Sequence, residues 1–192
     1  MLYLVRHGRT AQNAARRLLG HLDVPLDELG RRQAKALGEV EVLRRATRVV
    51  SSPLARARET AAALGPPVSV DDRWVEIDYG SYDGIELADS GALFREWDRD
   101  LGYRPPGGES LVDVGERARR ACDELWVESR TNDVVVVSHV SPIKAAVAWA
   151  LGVGDEVAWR MFLDVASLSV VGEGRRGPTL RSFNETLHRP SA

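Results

Sequence analysis

Short apolar runs alternate with amphipathic stretches from the first residues onward. Residues 2–5, LYLV, form an apolar run with a β-branched end, predicting a strand that stops at Arg6, His7 and Gly8. Residues 10–17 then read as a helix and residues 20–25 as a loop. Apolar or small residues recur near the helical period over residues 29–45, at Leu29, Ala34, Leu37, Val40 and Leu43. Residues 48–51 give a second strand, and Ser52 with Pro53 supplies a cap and a first-turn proline for a helix ending near Gly65. A third strand is predicted at residues 68–70, followed by an irregular segment, 72–85, rich in Gly and aromatics. Helical pattern returns over 86–98, yields to a loop holding Pro105 and Pro106, and resumes over 109–129 with Ser110 as cap.

Four consecutive valines, 134–137, mark a strand buried on both faces. It ends at Ser138 and His139, and Ser141 with Pro142 repeats the cap-plus-proline start for a helix reaching Leu151. Two strands near 167–171 and 179–183 close the pattern. Strands alternating with helices predict an α/β fold, a three-layer α/β/α sandwich whose mostly parallel sheet has an antiparallel edge. No repeat or linker interrupts the 192 residues, so residues 1–192 are expected to form one domain, with an insertion over the active site at about 86–110.

Composition narrows the possibilities. At 44% hydrophobic and 28% charged residues the chain reads as globular, and a net charge of −2 gives no sign of a nucleic-acid or anionic-membrane surface. All basic residues except Lys35 and Lys144 are Arg, a bias ascribed to genome composition rather than to phosphate binding. No apolar run approaches the length of a membrane span, and the start MLYLVRHG lacks the basic opening and long apolar middle of a signal peptide. The single Cys122 excludes a disulfide within the chain and is read as a core thiol; the expected compartment is the cytoplasm. Trp97, Trp126, Trp149 and Trp159 are read as core residues or as an interface, which leaves a homodimer open.

Two histidines, His7 and His139, stand at the carboxyl ends of predicted strands, where ligands of open α/β sheets bind. Arg6 precedes the first, and Arg56 falls in the first turn after another strand end. Taken singly, each has a plain structural reading: a satisfied strand-end histidine, a salt-bridged arginine, a solvated helix charge. Together they would surround one point with forked, permanent donors suited to a dianionic phosphoryl group.

Residues 6–13, RHGRTAQN, resemble the RHGxTxxN signature of the histidine phosphatase superfamily, the phosphoglycerate mutase-like family. GHLDVPLDELGRRQA (20–34), SSPLARARETA (51–61), EIDYGSYDG (76–84), PPGGES (105–110) and VVVVSH (134–139) are similar to its further motifs in the same order. The resemblance implies a phosphohistidine formed on His7, with Arg6, Arg56, His139 and Asn13 binding the phosphoryl group and Glu76 as general acid. It implies no cofactor and no metal. His21 stands where the family often has Trp and is expected to line the entrance; Asp78 is read as a structural hydrogen-bonding residue beside Glu76, and as a backup acid otherwise. Tyr82, Asp83 and Gly84 depart from the family's usual Trp–Glu–Gly, and His188 is discounted.

SHVSPIK (138–144) and FNET (183–186) are similar to alpha-ribazole phosphatases and to the acid-phosphatase half of bifunctional ribonuclease H/acid phosphatases. EIDYGSYDG resembles the corresponding segment of broad acid phosphatases, and Arg99 and Arg104 do not make the adjacent pair of phosphoglycerate mutases. The expected activity is a phosphomonoesterase acting on a small phosphorylated metabolite, without nucleic-acid or membrane partners. The alternatives are a cofactor-dependent phosphoglycerate mutase and a non-catalytic phosphate-binding module.

Overall fold

The computed structural model describes residues 1–186; His188 lies outside them. Six strands, β1 (Leu2–Arg6), β2 (Arg48–Ser51), β3 (Val68–Val70), β4 (Val134–Ser138), β5 (Leu168–Gly174) and β6 (Gly177–Glu185), form one sheet in the order β3-β2-β4-β1-β5-β6. The pairs among β3, β2, β4 and β1 are parallel, and β5 pairs antiparallel with both β1 and β6. This is the mostly parallel sheet with an antiparallel edge that the alternation predicts.

Seven helices accompany the sheet among the described residues: α1 (Ala11–Ala14), α2 (Glu28–Gly38), α3 (Glu41–Arg44), α4 (Ala55–Ala62), α5 (Gly91–Arg99), α6 (Leu111–Ser129) and α7 (Val140–Leu151). The valines of β4 show why both faces are covered. Val134 and Val136 pack with Leu2, Leu4 and Val50 against Cys122 and Leu125 of α6 and Ile143 and Val147 of α7. Val135 and Val137 pack with Tyr3, Val5 and Val49 against Leu37 of α2 and Ala57 and Ala61 of α4. Period-two alternation thus supplies one half of each core layer. Burial pushes the Cys122 thiol far up, so it stays protonated in this core.

Several helices differ from their predicted extent. The segment 10–17 forms only α1, because Arg16 takes a left-handed backbone, φ 54°, and turns the chain away. The stretch 29–45 breaks into α2 and α3 at Val40, whose extended backbone interrupts the helix. At Gly38 an added Cβ would collide with the Ala63 carbonyl, so this glycine lets α2 and the end of α4 approach closely. The helix expected from residue 86 begins at Gly91, after a 3₁₀ turn at Leu87–Asp89. Ser110 does cap α6, in a reciprocal box with Asp113. Trp97 is buried, Trp126 and Trp149 pack partly buried on the core with rings 5.9 Å apart, and Trp159 is exposed. Among the described residues no helix is long and apolar enough to cross a membrane.

Candidate active site

Strand register brings the expected residues together. Arg6 of β1 pairs with Ser138 of β4, and Ser51 of β2 pairs with Val137, so the three strands end side by side. One residue past those ends the backbones still bond: His7 N–H donates to Ser138 O at 3.0 Å and Ser52 N–H to Val137 O at 3.0 Å. The rings of His7 and His139 then stand 5.0 Å apart, centre to centre.

A backbone carbonyl can only accept, so the 2.7 Å contact between His7 Nδ1 and Gly8 O requires a proton on Nδ1. The neutral ring therefore keeps its free lone pair on Nε2. Burial, then the nearby Arg56 and Arg6 guanidinium groups, hold the His7 pKa well below the usual histidine range, against the Gly8 hydrogen bond. His139 is lowered for the same first reason, and then by Arg56, His7, Arg6 and Arg117. Its Nε2 lies 2.7 Å from Ser52 Oγ. Ser52 Oγ accepts from Leu54 N–H and has its own hydrogen available for Nε2. With Ser52 as the donor, the neutral ring's proton sits on Nδ1, a buried atom without a hydrogen-bond partner among the described residues.

The two arginines are anchored by their tips. Arg56 is fully buried; its two Nη atoms donate to Leu22 O at 2.9 Å and Gly20 O at 2.7 Å, and burial pushes its pKa down to about 10. Arg6 Nη1 donates to Leu163 O at 2.6 Å. Both Nε atoms are buried and, among the described residues, unpartnered. Three N–H donors, on Arg6, Arg56 and His139, are therefore desolvated without compensation beside His7, an arrangement that costs free energy until an acceptor arrives.

Glu76 is buried, and its carboxylate is gripped by backbone. Oε1 accepts from Ile77 N–H at 2.9 Å and Ser141 N–H at 3.0 Å, and Oε2 from Val140 N–H at 3.0 Å. These are the opening N–H groups of α7, so Glu76 caps that helix from across the chain. This corrects the expectation for Ser141: His139 is the N-cap position, and Ser141 and Pro142 lie inside the first turn. The start of α4 is corrected likewise. Asp23 accepts from Ala55 N–H at 2.6 Å, while Ser52 is held by His139.

Arg6, His7, Asn13 and Glu76 line a cavity of about 340 Å³, with Arg56 and His139 wholly buried near it. Asn13 Oδ1 accepts from Thr10 N–H and hydroxyl, the capping box of α1. His21 is not among the lining residues; its ring contacts Glu76 O at 3.0 Å and Asp78 at 3.4 Å. Asp78 accepts from Gly80 N–H within its own turn. Leu87, Phe94 and Trp97 bring the segment 86–110 over the cavity. Among the described residues no group of three or more His, Cys, Asp or Glu side chains is placed to hold a metal ion.

Sequence reasoning missed Arg117. Its guanidinium donates to the carbonyls of Arg73, Val75 and Glu76 and pairs with Glu109, holding the backbone that carries the acid. A signal was available: Val114, Arg117, Ala118, Ala121 and Cys122 share one helical stripe, so an arginine stands on a buried face. Ser52 and the Gly8–Gly30 contact were missed too. A Cβ on Gly8 would come within 2.6 Å of Gly30 O.

Comparison with known proteins identifies the family. A profile of the histidine phosphatase superfamily (branch 1) matches residues 2–186. A bifunctional protein of Mycobacterium tuberculosis is 42% identical over 178 residues, covering 88% of this chain and 49% of that protein, so the chain spans about half the length of this relative. Phosphoserine phosphatase 1 of Hydrogenobacter thermophilus is 34% identical, covering 97% of this chain and 93% of its own. The solved structure of a mycobacterial glucosyl-3-phosphoglycerate phosphatase in complex with VO3 superposes with a TM-score of 0.83 at 35% identity, covering 95% of this chain and 98% of that one.

Proposed function

The chain belongs to the histidine phosphatase superfamily (branch 1), and from that premise we propose that it hydrolyses a small phosphate monoester through a phosphohistidine on His7. The observation that carries this reading is the set of buried, unpartnered donors on Arg6, Arg56 and His139 around a neutral His7. A phosphoryl group offers three oxygens to such donors, and their charge stabilises the negative charge of the transferring group.

The Nε2 lone pair of His7 attacks phosphorus in line, and the bond from phosphorus to the ester oxygen breaks. Glu76 gives its proton to the departing oxygen. Oε1 already accepts two hydrogen bonds and Oε2 only one, so Oε2 is the oxygen with room for that proton. The resulting carboxylate then takes a proton from water as the water oxygen attacks phosphorus and the N–P bond breaks. Phosphate leaves, and His7 and Glu76 regain their starting forms. Asn13, on the cavity wall, serves the phosphoryl oxygens. His21 and Asp78 brace the loop of Glu76 through their mutual contact.

The expected result for His7→Ala is loss of turnover in a chain that still binds vanadate, with free phosphate as the product of the unaltered enzyme. Near-normal turnover by His7→Ala would refute the nucleophile. An isomer in place of free phosphate would assign the mutase reading instead.

A further inference from the structure

Beyond the phosphoryl clamp, the cavity wall changes character. Tyr79, Trp97, Phe94 and Trp159 form a continuous aromatic series, each successive pair of rings 6.0 Å apart, with Tyr79–Trp97 tilted and the Phe94 pairs edge-on. All four line the same cavity as His7 and Glu76. The series runs from the buried Trp97 to Trp159, 41% exposed. Phe162, 73% exposed, and Leu87, 43% exposed, complete the rim. Exposing large apolar side chains is costly, and their gathering at the mouth of a cavity marks a binding surface.

The polar side chains on that wall also make contacts within the protein. Lys144 donates to Ala158 O at 2.9 Å, and Arg17 donates to Gly84 O at 2.9 Å and pairs with Glu86. Asp155 is held by Arg119 and Ser141 by Tyr79. A leaving group rich in hydroxyls or carboxylates, laid along the rings of Phe94, Trp97 and Trp159, would bury its polar atoms there unpaired. An apolar body would meet rings along its whole length.

We infer that the physiological substrate is the phosphate monoester of a bulky, uncharged alcohol with an aromatic or comparably apolar body, seated against Phe94, Trp97, Trp159 and Phe162. This inference rests on the phosphomonoesterase reading and names the substrate class of that site. The relatives whose names specify phosphoserine or glucosyl-3-phosphoglycerate would then differ from this chain in the alcohol they release.

The test uses primary alkyl esters throughout, so that leaving-group basicity does not imitate recognition. Hydrolysis of 3-phenylpropyl phosphate is compared with that of ethyl phosphate, phosphoserine and glucose 6-phosphate. The expected kcat/KM for the phenylpropyl ester exceeds each of the others by about tenfold or more, the scale of burying one ring. Phe162→Ala, a change at an exposed position that the fold tolerates, should lower the phenylpropyl-to-ethyl ratio by about fivefold or more. An equal or better kcat/KM for phosphoserine or glucose 6-phosphate, or a ratio unmoved by Phe162→Ala, overturns the inference while the phosphohistidine reading stands. Failure to hydrolyse any ester or to form phosphohistidine removes both.

Discussion

At His7 and His139, burial opposes protonation, and this has a consequence for stability as well as for chemistry. Both folded pKa values lie well below the ordinary histidine value of 6.5. Above that value neither the folded nor the unfolded chain carries these protons, and the two rings contribute nothing to the pH dependence. As pH falls through 6.5 the unfolded chain takes up protons that the folded chain refuses, so stability is lost on the acid side. Between pH 7 and 5.5 the loss is on the order of 1 kcal/mol for each ring. Urea unfolding of the native chain should therefore lose on the order of 2 kcal/mol more over that interval than a His7→Gln, His139→Gln chain. Equal losses would show that the rings titrate as free histidines do. Glu76 has its own test. A nitrophenolate leaves without a proton, whereas an alkoxide needs one. Glu76→Gln should slow phosphohistidine formation from alkyl phosphates on the order of 10²-fold. The loss in the burst phase with p-nitrophenyl phosphate should be distinctly smaller. Equal losses would remove Glu76 as the acid and make Asp78 the next candidate.

The elements hold these residues through contacts that bridge distant parts of the chain. The loop after β1 is pressed onto the start of α2: Arg9 N–H donates to Gln33, Arg9 Nε to Asp27, and Asp27 N–H to Arg9 O. A Cβ on Gly30 would overlap the Arg9 carbonyl, which is backbone and cannot swing aside. Gly30→Ala should cost about 1–3 kcal/mol of stability and lower turnover, because the loop that must move also carries His7. Unchanged urea unfolding would contradict this packing. The same reliance on distant partners explains which elements were legible in the sequence. The four valines of β4 announce a doubly buried strand because their environment is set by local pattern. The starts of α4 and α7 did not, because Ser-Pro pairs look like caps while the acceptors come from Asp23 and Glu76. The long helix pattern over 29–45 concealed its break, since Val40 keeps the apolar period while its backbone is extended.

For the whole molecule, the order of the sheet converts scattered motifs into one site. Placing β4 between β2 and β1 brings His7, Ser52 and His139 from three separate stretches into contact. His7, Arg6, Arg56 and His139 were legible because each lies in a short motif at or just past a strand end, and Glu76 through the family resemblance of the segment EIDYGSYDG. The aromatic wall was not, because only Phe94 and Trp97 share an element, α5, while Tyr79 and Trp159 come from segments far away in the chain. Direct location of the phosphoryl group is the sharpest test of the proposed nucleophile, His7 Nε2. The enzyme is mixed with a phosphomonoester in EDTA-containing buffer, quenched in alkali within the burst, digested and read by mass spectrometry and phosphorus NMR. Because the Gly8 carbonyl holds the proton on Nδ1, phosphate is expected on His7 alone, bonded to Nε2. Phosphate on Nδ1, on another residue, or on none while turnover proceeds would contradict it.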